Sequence, residues 1–269
     1  MNPGGEPIKH AKGSHPDIKG TGMIAGATYC GAPPSPGELI HRFNLDPRLV
    51  VALAILSLLH IAYAHRTGRP ATLTAVGWTV ATAAFISPLC ALSVSLFAAR
   101  VGQHMILILV AAPMIAASLP AWRFRGSARS LWGATAAFFV FLWFWHMPVP
   151  YTWTFESTAV YWTMHISLFG SGIWLWSELI GHAPARAAQA LAAGTLASIQ
   201  MGLLGAVITL SSWPMYPPHY TTSWEWGLTP IQDQQFGGVL MWVPGMVFFL
   251  WAALRSLGAL WRNLEMEAA

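Results

Sequence analysis

The sequence predicts an all-α membrane protein, a polytopic bundle of seven transmembrane helices. Three observations lead there. Of the 269 residues, 55% are hydrophobic and only 9% charged, against about a quarter charged in soluble domains. The apolar residues gather into seven stretches, most of them reaching the roughly 18 residues that span a bilayer. The fifteen tryptophans suit the headgroup level, where an apolar ring with one polar N–H finds both of its environments. Lipid offers no partner to a backbone N–H or C=O, so each stretch must close its own hydrogen bonds as a helix.

Residues 1–46 are rich in Gly, Pro and Lys and contain no run long enough to span and no signal-peptide pattern. They read as a flexible tail, with Met23 as an alternative start. The bundle occupies residues 47–262, and residues 263–269 form a C-terminal tail. The apolar stretches run over residues 49–64, 72–91, 101–119, 130–147, 158–180, 188–210 and 235–257. The first carries His60 and Tyr63 near its end. The second closes on Ser87-Pro88-Leu89-Cys90, where proline marks a kink or a stop. A linker over residues 91–100 leads into the third, and the fourth ends at His146-Met147-Pro148. Gly202 and Gly205 in the sixth suit close helix packing, and Pro244-Gly245 in the seventh suggests a kink. The segment from Trp213 to Gln235 is rich in proline and aromatic residues, which makes it a stiff lid rather than a loose tether.

Arginine sets the orientation. One set of loops and the C-terminal end hold Arg66, Arg69, Arg123, Arg125, Arg129, Arg186, Arg255 and Arg262, whereas the opposite short loops hold only Arg100. The positive-inside rule puts the first set in the cytoplasm, hence the N-terminus outside and the C-terminus cytoplasmic in a bacterial-type inner membrane. Arg42 and Arg48, just before the first span, point the other way. On this topology His104 begins the third span and His146 ends the fourth, both near the outer surface. His165 lies roughly 12 Å below that surface. The net charge of +4 is spread thinly, with no basic block for nucleic acid. The lipid bilayer is the expected environment.

Ionisable groups inside spans are rare and tend to face the bundle interior. Imidazoles of His104, His146 and His165, from separate helices, are therefore candidate ligands to one metal ion. Neutral imidazole suits copper, zinc, iron or nickel, and the thioethers nearby tilt the choice to Cu(I). Met147 is placed at a helix end where it can share the direction of His146, and Met201 and Met241 are further soft candidates. Asp233 opens the seventh span, where it is either a helix cap or a partner that orients a histidine N–H. Gln103 and Gln200 are polar within apolar runs and suit supporting hydrogen bonds. The bland alternative is that each histidine merely bonds a neighbouring helix. His60, His65 and His182 read as structural or solvated, and His219 as a solvated loop residue, with a mobile ligand or entry gate as its alternative. With only Cys30 and Cys90, neither a disulfide framework nor a CxxC metal site is available. No residues stand out as catalytic, and no enzyme activity is expected.

An ordered series of motifs carries a resemblance. Gln103-His104-Met105, Trp145-His146-Met147-Pro148 followed by Tyr151, and His165 come first. Gln200-Met201, Tyr216-Pro217, Asp233-Gln234-Gln235 and Met241-Trp242-Val243-Pro244-Gly245 follow. Together they resemble the CtaG-like family of caa3-type cytochrome c oxidase assembly factors, from about Phe43-Asn44-Leu45-Asp46-Pro47 to Leu257. The resemblance implies a seven-span protein that helps mature haem–copper oxidases, with copper handled outside the membrane. Its expected partners are cytochrome c oxidase subunits and other copper chaperones. The long N-terminal tail departs from the pattern, and so does Cys90, where an acidic or small residue is expected after Ser87-Pro88-Leu89. Cys90 is then either an additional soft ligand or the partner of Cys30.

The first functional expectation is a non-enzymatic assembly factor that binds and delivers Cu(I) at the extracytoplasmic side. A membrane haem protein and a copper permease are the alternatives.

Overall fold

Proline and backbone satisfaction decide where the helices of this protein start and stop. The computed structural model describes residues 28–119, 127–181 and 186–268, and among the described residues it is helical, with no strand. Helix α1 (Pro47–Arg66) opens with proline at its first position and Asp46 accepting the Arg48 N–H at 2.9 Å. Proline costs nothing there, because that N–H has no helical partner anyway. Helix α2 (Ala71–Ile86) ends at Ser87-Pro88, and α3 (Leu89–Ser95) departs from its axis by 48°. Part of the linker expected over residues 91–100 is thus helical, and α4 (Phe97–Met105) begins before residue 101.

Helix α4 continues through a π-helical turn, Ile106–Ala111, into α5 (Ala112–Ala116). Pro113 gives a reason for watching this turn. In the wider register the Ala112 N–H reaches Leu107 O, so the next carbonyl, that of Ile108, would look to residue 113, which has no N–H. The indole N–H of Trp176, on another helix, donates to Ile108 O at 2.8 Å instead. A buried carbonyl is satisfied and two helices are joined by one bond.

Helix α6 (Ala128–His146) stops at Met147, and Pro148 becomes the first residue of α7 (Pro148–Glu156), which turns away by 74°. Helices α8 (Thr158–Ile180) and α9 (Ala187–Leu210) follow. The last, α10 (Pro230–Ala268), has 39 residues, runs on through Pro244, and includes most of the expected C-terminal tail. At about 58 Å it exceeds a hydrocarbon core of roughly 30 Å. Helices α9 and α10 pack tightly because Gly205 and Gly238 face one another. A Cβ on Gly205 would lie 2.8 Å from Gly238 O, and one on Gly238 would lie 2.8 Å from Gly205 O. The small-residue expectation therefore describes Gly205; Gly202 meets Trp242 only at ordinary contact distance.

Among the described residues, four helices are long and apolar enough to cross a membrane, or up to six if each bent pair, α2–α3 and α6–α7, forms one span. The expected stretch missing from this count is the fifth, residues 158–180, which corresponds to α8 and at 23 residues is long enough. It is not apolar enough to count, since it carries His165, Glu178 and several Ser and Trp residues.

Within the expected N-terminal tail, residues 28–46 include a covalent link to the bundle. Cys30 and Cys90 form a disulfide with Cα atoms 5.5 Å apart, across 60 residues of sequence. Cys90 is thereby removed as a soft metal ligand, because its sulfur is bonded to Cys30. Tyr29 donates to Asp46 at 2.7 Å, and Arg42 donates to Ala32 O at 2.8 Å. Met23 and the residues before it lie outside the described residues, as do His182, Arg123 and Arg125. Replacing both cysteines by serine is expected to lower stability by about 2–4 kcal/mol, as loss of a long closed loop should. Thermal unfolding in detergent with and without reductant measures it, and an unchanged midpoint would contradict the bridge.

Candidate functional site

Two of the three expected histidines are oriented by their own helices. In α6 the His146 Nδ1 lies 2.7 Å from Leu142 O, and in α8 the His165 Nδ1 lies 3.0 Å from Tyr161 O. Each partner is the carbonyl four residues back, which can only accept. Each Nδ1 therefore carries the proton, and each Nε2 keeps a free lone pair. Both Nε2 atoms are buried without a partner, as are both ring nitrogens of His104. All three residues are 2% exposed. A buried polar atom left unpaired costs free energy, so a cluster of them calls for a ligand.

His104 lies between the other two. Its ring centroid is 5.6 Å from that of His146 and 5.2 Å from that of His165, with both pairs edge to face. Two imidazoles bound to one ion place their centroids roughly 5–6 Å apart, given metal–nitrogen bonds of about 2 Å. The spacing of these two pairs fits, but the aim does not. Among the described residues no three His, Cys, Asp or Glu side chains already surround a common point. His146 and His165 are held by their backbone bonds, and His104, with neither ring nitrogen bonded, is the ring free to turn without losing a hydrogen bond.

The other expected residues divide. Asp233 does not touch a histidine, and it does not cap its own helix. Its carboxylate accepts the N–H of Phe97 at 2.7 Å and of Ala98 at 3.0 Å. It therefore caps α4, the helix that carries His104, where a negative charge meets the positive end of the helix dipole. Gln103 donates to Ala84 O at 2.8 Å and ties α4 to α2, whereas Gln200 accepts the Trp143 indole N–H at 3.0 Å. Met147 is 49% exposed and faces away from the bundle interior. Met201 is buried against Gly245, whose added Cβ would fall 2.2 Å from the Met201 sulfur. Met241 is buried in the same core. His60 is bonded on both nitrogens, to the Trp78 indole at 3.1 Å and Ser118 Oγ at 3.2 Å.

Two neighbours escaped the sequence reading. Arg100, expected in an outer loop, is 1% exposed in α4. Its guanidinium lies 4.1 Å from the Phe155 ring centroid, 5.4 Å from that of Tyr151 and 5.7 Å from that of Tyr161. His219, expected in solvent, is 2% exposed, and its Nε2 lies 2.6 Å from the Tyr151 hydroxyl. Burial, with the positive charge of Arg100 adding to it, pushes the His219 imidazole down to about 3. The spacing of four between Arg100 and His104 was the available signal, since it puts them on one helix face. Nothing comparable marks His219, because a loop residue reveals its burial only when the loop is folded.

The lid closes this end of the bundle. Tyr216 stacks on Phe97 with centroids 3.9 Å apart and donates to His146 O at 2.8 Å. Thr222 donates to Ser95 O at 2.6 Å, and Gln234 accepts the Met215 N–H at 2.6 Å. The Trp145 indole donates to Ser167 Oγ at 2.8 Å, joining α6 to α8 beside the cluster.

Fold and site define a multi-pass helical membrane protein with unpaired imidazoles buried beneath a lid at one end. The model of the family described as cytochrome c oxidase caa3 assembly factor (Caa3_CtaG) matches residues 58–263, and the chain belongs to that family. No curated protein and no solved structure matches it.

Two predictions follow from this geometry. Asp233→Ala should lower stability by about 1–2 kcal/mol through loss of the α4 cap, with Asp233→Asn milder; equal unfolding midpoints would rule the cap out. His219 is neutral when folded, whereas unfolding returns it to the usual imidazole value of 6.5. Below that value the unfolded chain binds the extra proton, so this contribution is present at pH 7 and is lost as pH falls from 6.5 toward about 3. His219→Gln should flatten that part of a stability–pH curve.

Proposed function

We propose that the protein binds copper as Cu(I) between His104, His146 and His165 and delivers it during assembly of a cytochrome c oxidase. The observation that carries this reading is the set of buried imidazole nitrogens that no protein group uses. His146 and His165 offer Nε2 lone pairs whose tautomer is fixed by a backbone carbonyl, the arrangement that metal-binding histidines commonly use. Three neutral nitrogens suit Cu(I), and a site without thiolates holds the ion weakly enough to give it up by ligand exchange. Family membership supplies the oxidase as the receiving partner.

The ion is handled at the extracytoplasmic side. The Cys30–Cys90 disulfide belongs to an oxidising compartment, and it lies at the histidine end, where both sulfurs approach the Tyr161 hydroxyl at 3.4 and 3.8 Å. Tyr161 is also the residue whose carbonyl holds His165. Counting α8 as a span and both bent pairs as one each gives seven, with the N-terminus outside and the C-terminus cytoplasmic. A permease would need a further station toward the cytoplasm, and His60 has both of its nitrogens engaged.

Purified protein loaded anaerobically with Cu(I) and competed with a chelator is expected to retain one copper per chain. His104→Ala, His146→Ala and His165→Ala should each lower the affinity at least tenfold. Equal retention by all three variants and the wild type would end the copper assignment. A Soret band that persists through purification would favour haem.

A further inference from the structure

We propose that Arg100 sets the charge of the ion the histidine cluster accepts, admitting a monovalent soft cation and turning away a divalent one. The inference rests on the copper reading above and adds a residue that decides specificity. Arg100 is on α4, four residues before His104, and so projects from the same helix face about one turn away. A second route leads to the same place. Its guanidinium lies 5.7 Å from the Tyr161 ring, and that ring is 4.3 Å from the ring of His165. The charge therefore lies near both His104 and His165.

What surrounds Arg100 supports its charge without cancelling it. Its Nε donates to Ser93 O at 3.3 Å and Nη1 donates to Thr154 Oγ1 at 2.7 Å, and neither acceptor is charged. Phe155, Tyr151 and Tyr161 present ring faces, which attract a cation but carry no net charge. Among the described residues no carboxylate pairs with it. Asp233, the acid on the neighbouring helix, bonds the N–H groups of Phe97 and Ala98 and not the guanidinium.

The consequence is electrostatic. His104, His146 and His165 bring no negative charge, so an ion among them keeps its full charge beside a fixed cation in a medium that screens poorly. Each unit of ion charge adds the same repulsion, and a divalent ion meets twice that of a monovalent one. At about 10 Å and an effective dielectric near 20, one further unit of charge weakens binding on the order of tenfold. Many metal sites offset ion charge with carboxylate or thiolate. This one adds to it.

The test uses the full-length protein in detergent with Ag(I), a redox-inert soft monovalent ion, and Zn(II) as probes. Wild type is expected to bind Ag(I) well and Zn(II) poorly. Arg100→Gln and Thr154→Asp, the second neutralising the guanidinium in place, should each improve Zn(II) affinity relative to Ag(I) by about tenfold. Arg100→Lys should leave the ratio near the wild-type value. A ratio that stays put in the neutralising variants overturns the proposal, as does a wild type that binds both ions equally well. If Arg100→Gln does not fold, Thr154→Asp alone decides, because it leaves the arginine in place. His104→Ala separates the two claims. If it binds Ag(I) as wild type does, the cluster is not the site and the copper reading itself falls. If its silver is lost while the ratio does not respond to charge, only the role of Arg100 fails.

Discussion

A histidine inside a transmembrane helix has two ring nitrogens, and its own helix can satisfy only one of them. The carbonyl four residues back takes the Nδ1 proton of His146 and of His165, which leaves each Nε2 without a backbone partner. In water a solvent molecule would serve. Beneath a lid, among aromatic rings, the need passes to whatever enters the site, and the rest of this end of the molecule is arranged around that unmet demand. His104 has neither nitrogen satisfied and occupies the middle position.

The supporting structure keeps the imidazoles in place without touching their free nitrogens. Asp233 fixes the start of α4 and Gln103 ties α4 to α2. Trp145 joins α6 to α8. The π-helical turn after Met105, with Trp176 supplying the donor that Pro113 lacks, anchors the other end of the same span to α8. None of these bonds uses a free imidazole nitrogen, so the helices are positioned while the nitrogens stay available. Arg100 belongs to the same layer but differs in kind, because its charge acts on the cluster through space.

Much of this was legible in the primary structure. Apolar runs located the helices, and a rare polar residue inside such a run identified His104, His146 and His165 as a group. Prolines marked the breaks at Pro88 and Pro148 correctly. Other features were not legible, for identifiable reasons. Asp233 stands at the start of a helix, which suggests a cap, but pattern alone cannot say whose N–H groups it reaches, and they belong to α4. Arg100 and His219 fall outside the apolar runs, where pattern alone predicts a solvated loop. The chemistry of arginine favours water unless π faces and carbonyls replace it, and Phe155, Tyr151 and Ser93 come together only in the folded bundle. The helix bearing His165 and Glu178 is long enough to span but less apolar than the others, which length alone does not reveal.

The sequence by itself determined an all-helical membrane chain and the residues from which a site could be built, because lipid penalises unpaired polar groups and makes each exception conspicuous. Tertiary structure alone decided which exceptions meet, which nitrogens remain free, and that Cys90 pairs with Cys30 rather than serving as a ligand. Those outcomes depend on distances between segments far apart along the chain, and spacing within one helix says nothing about how another helix is placed against it.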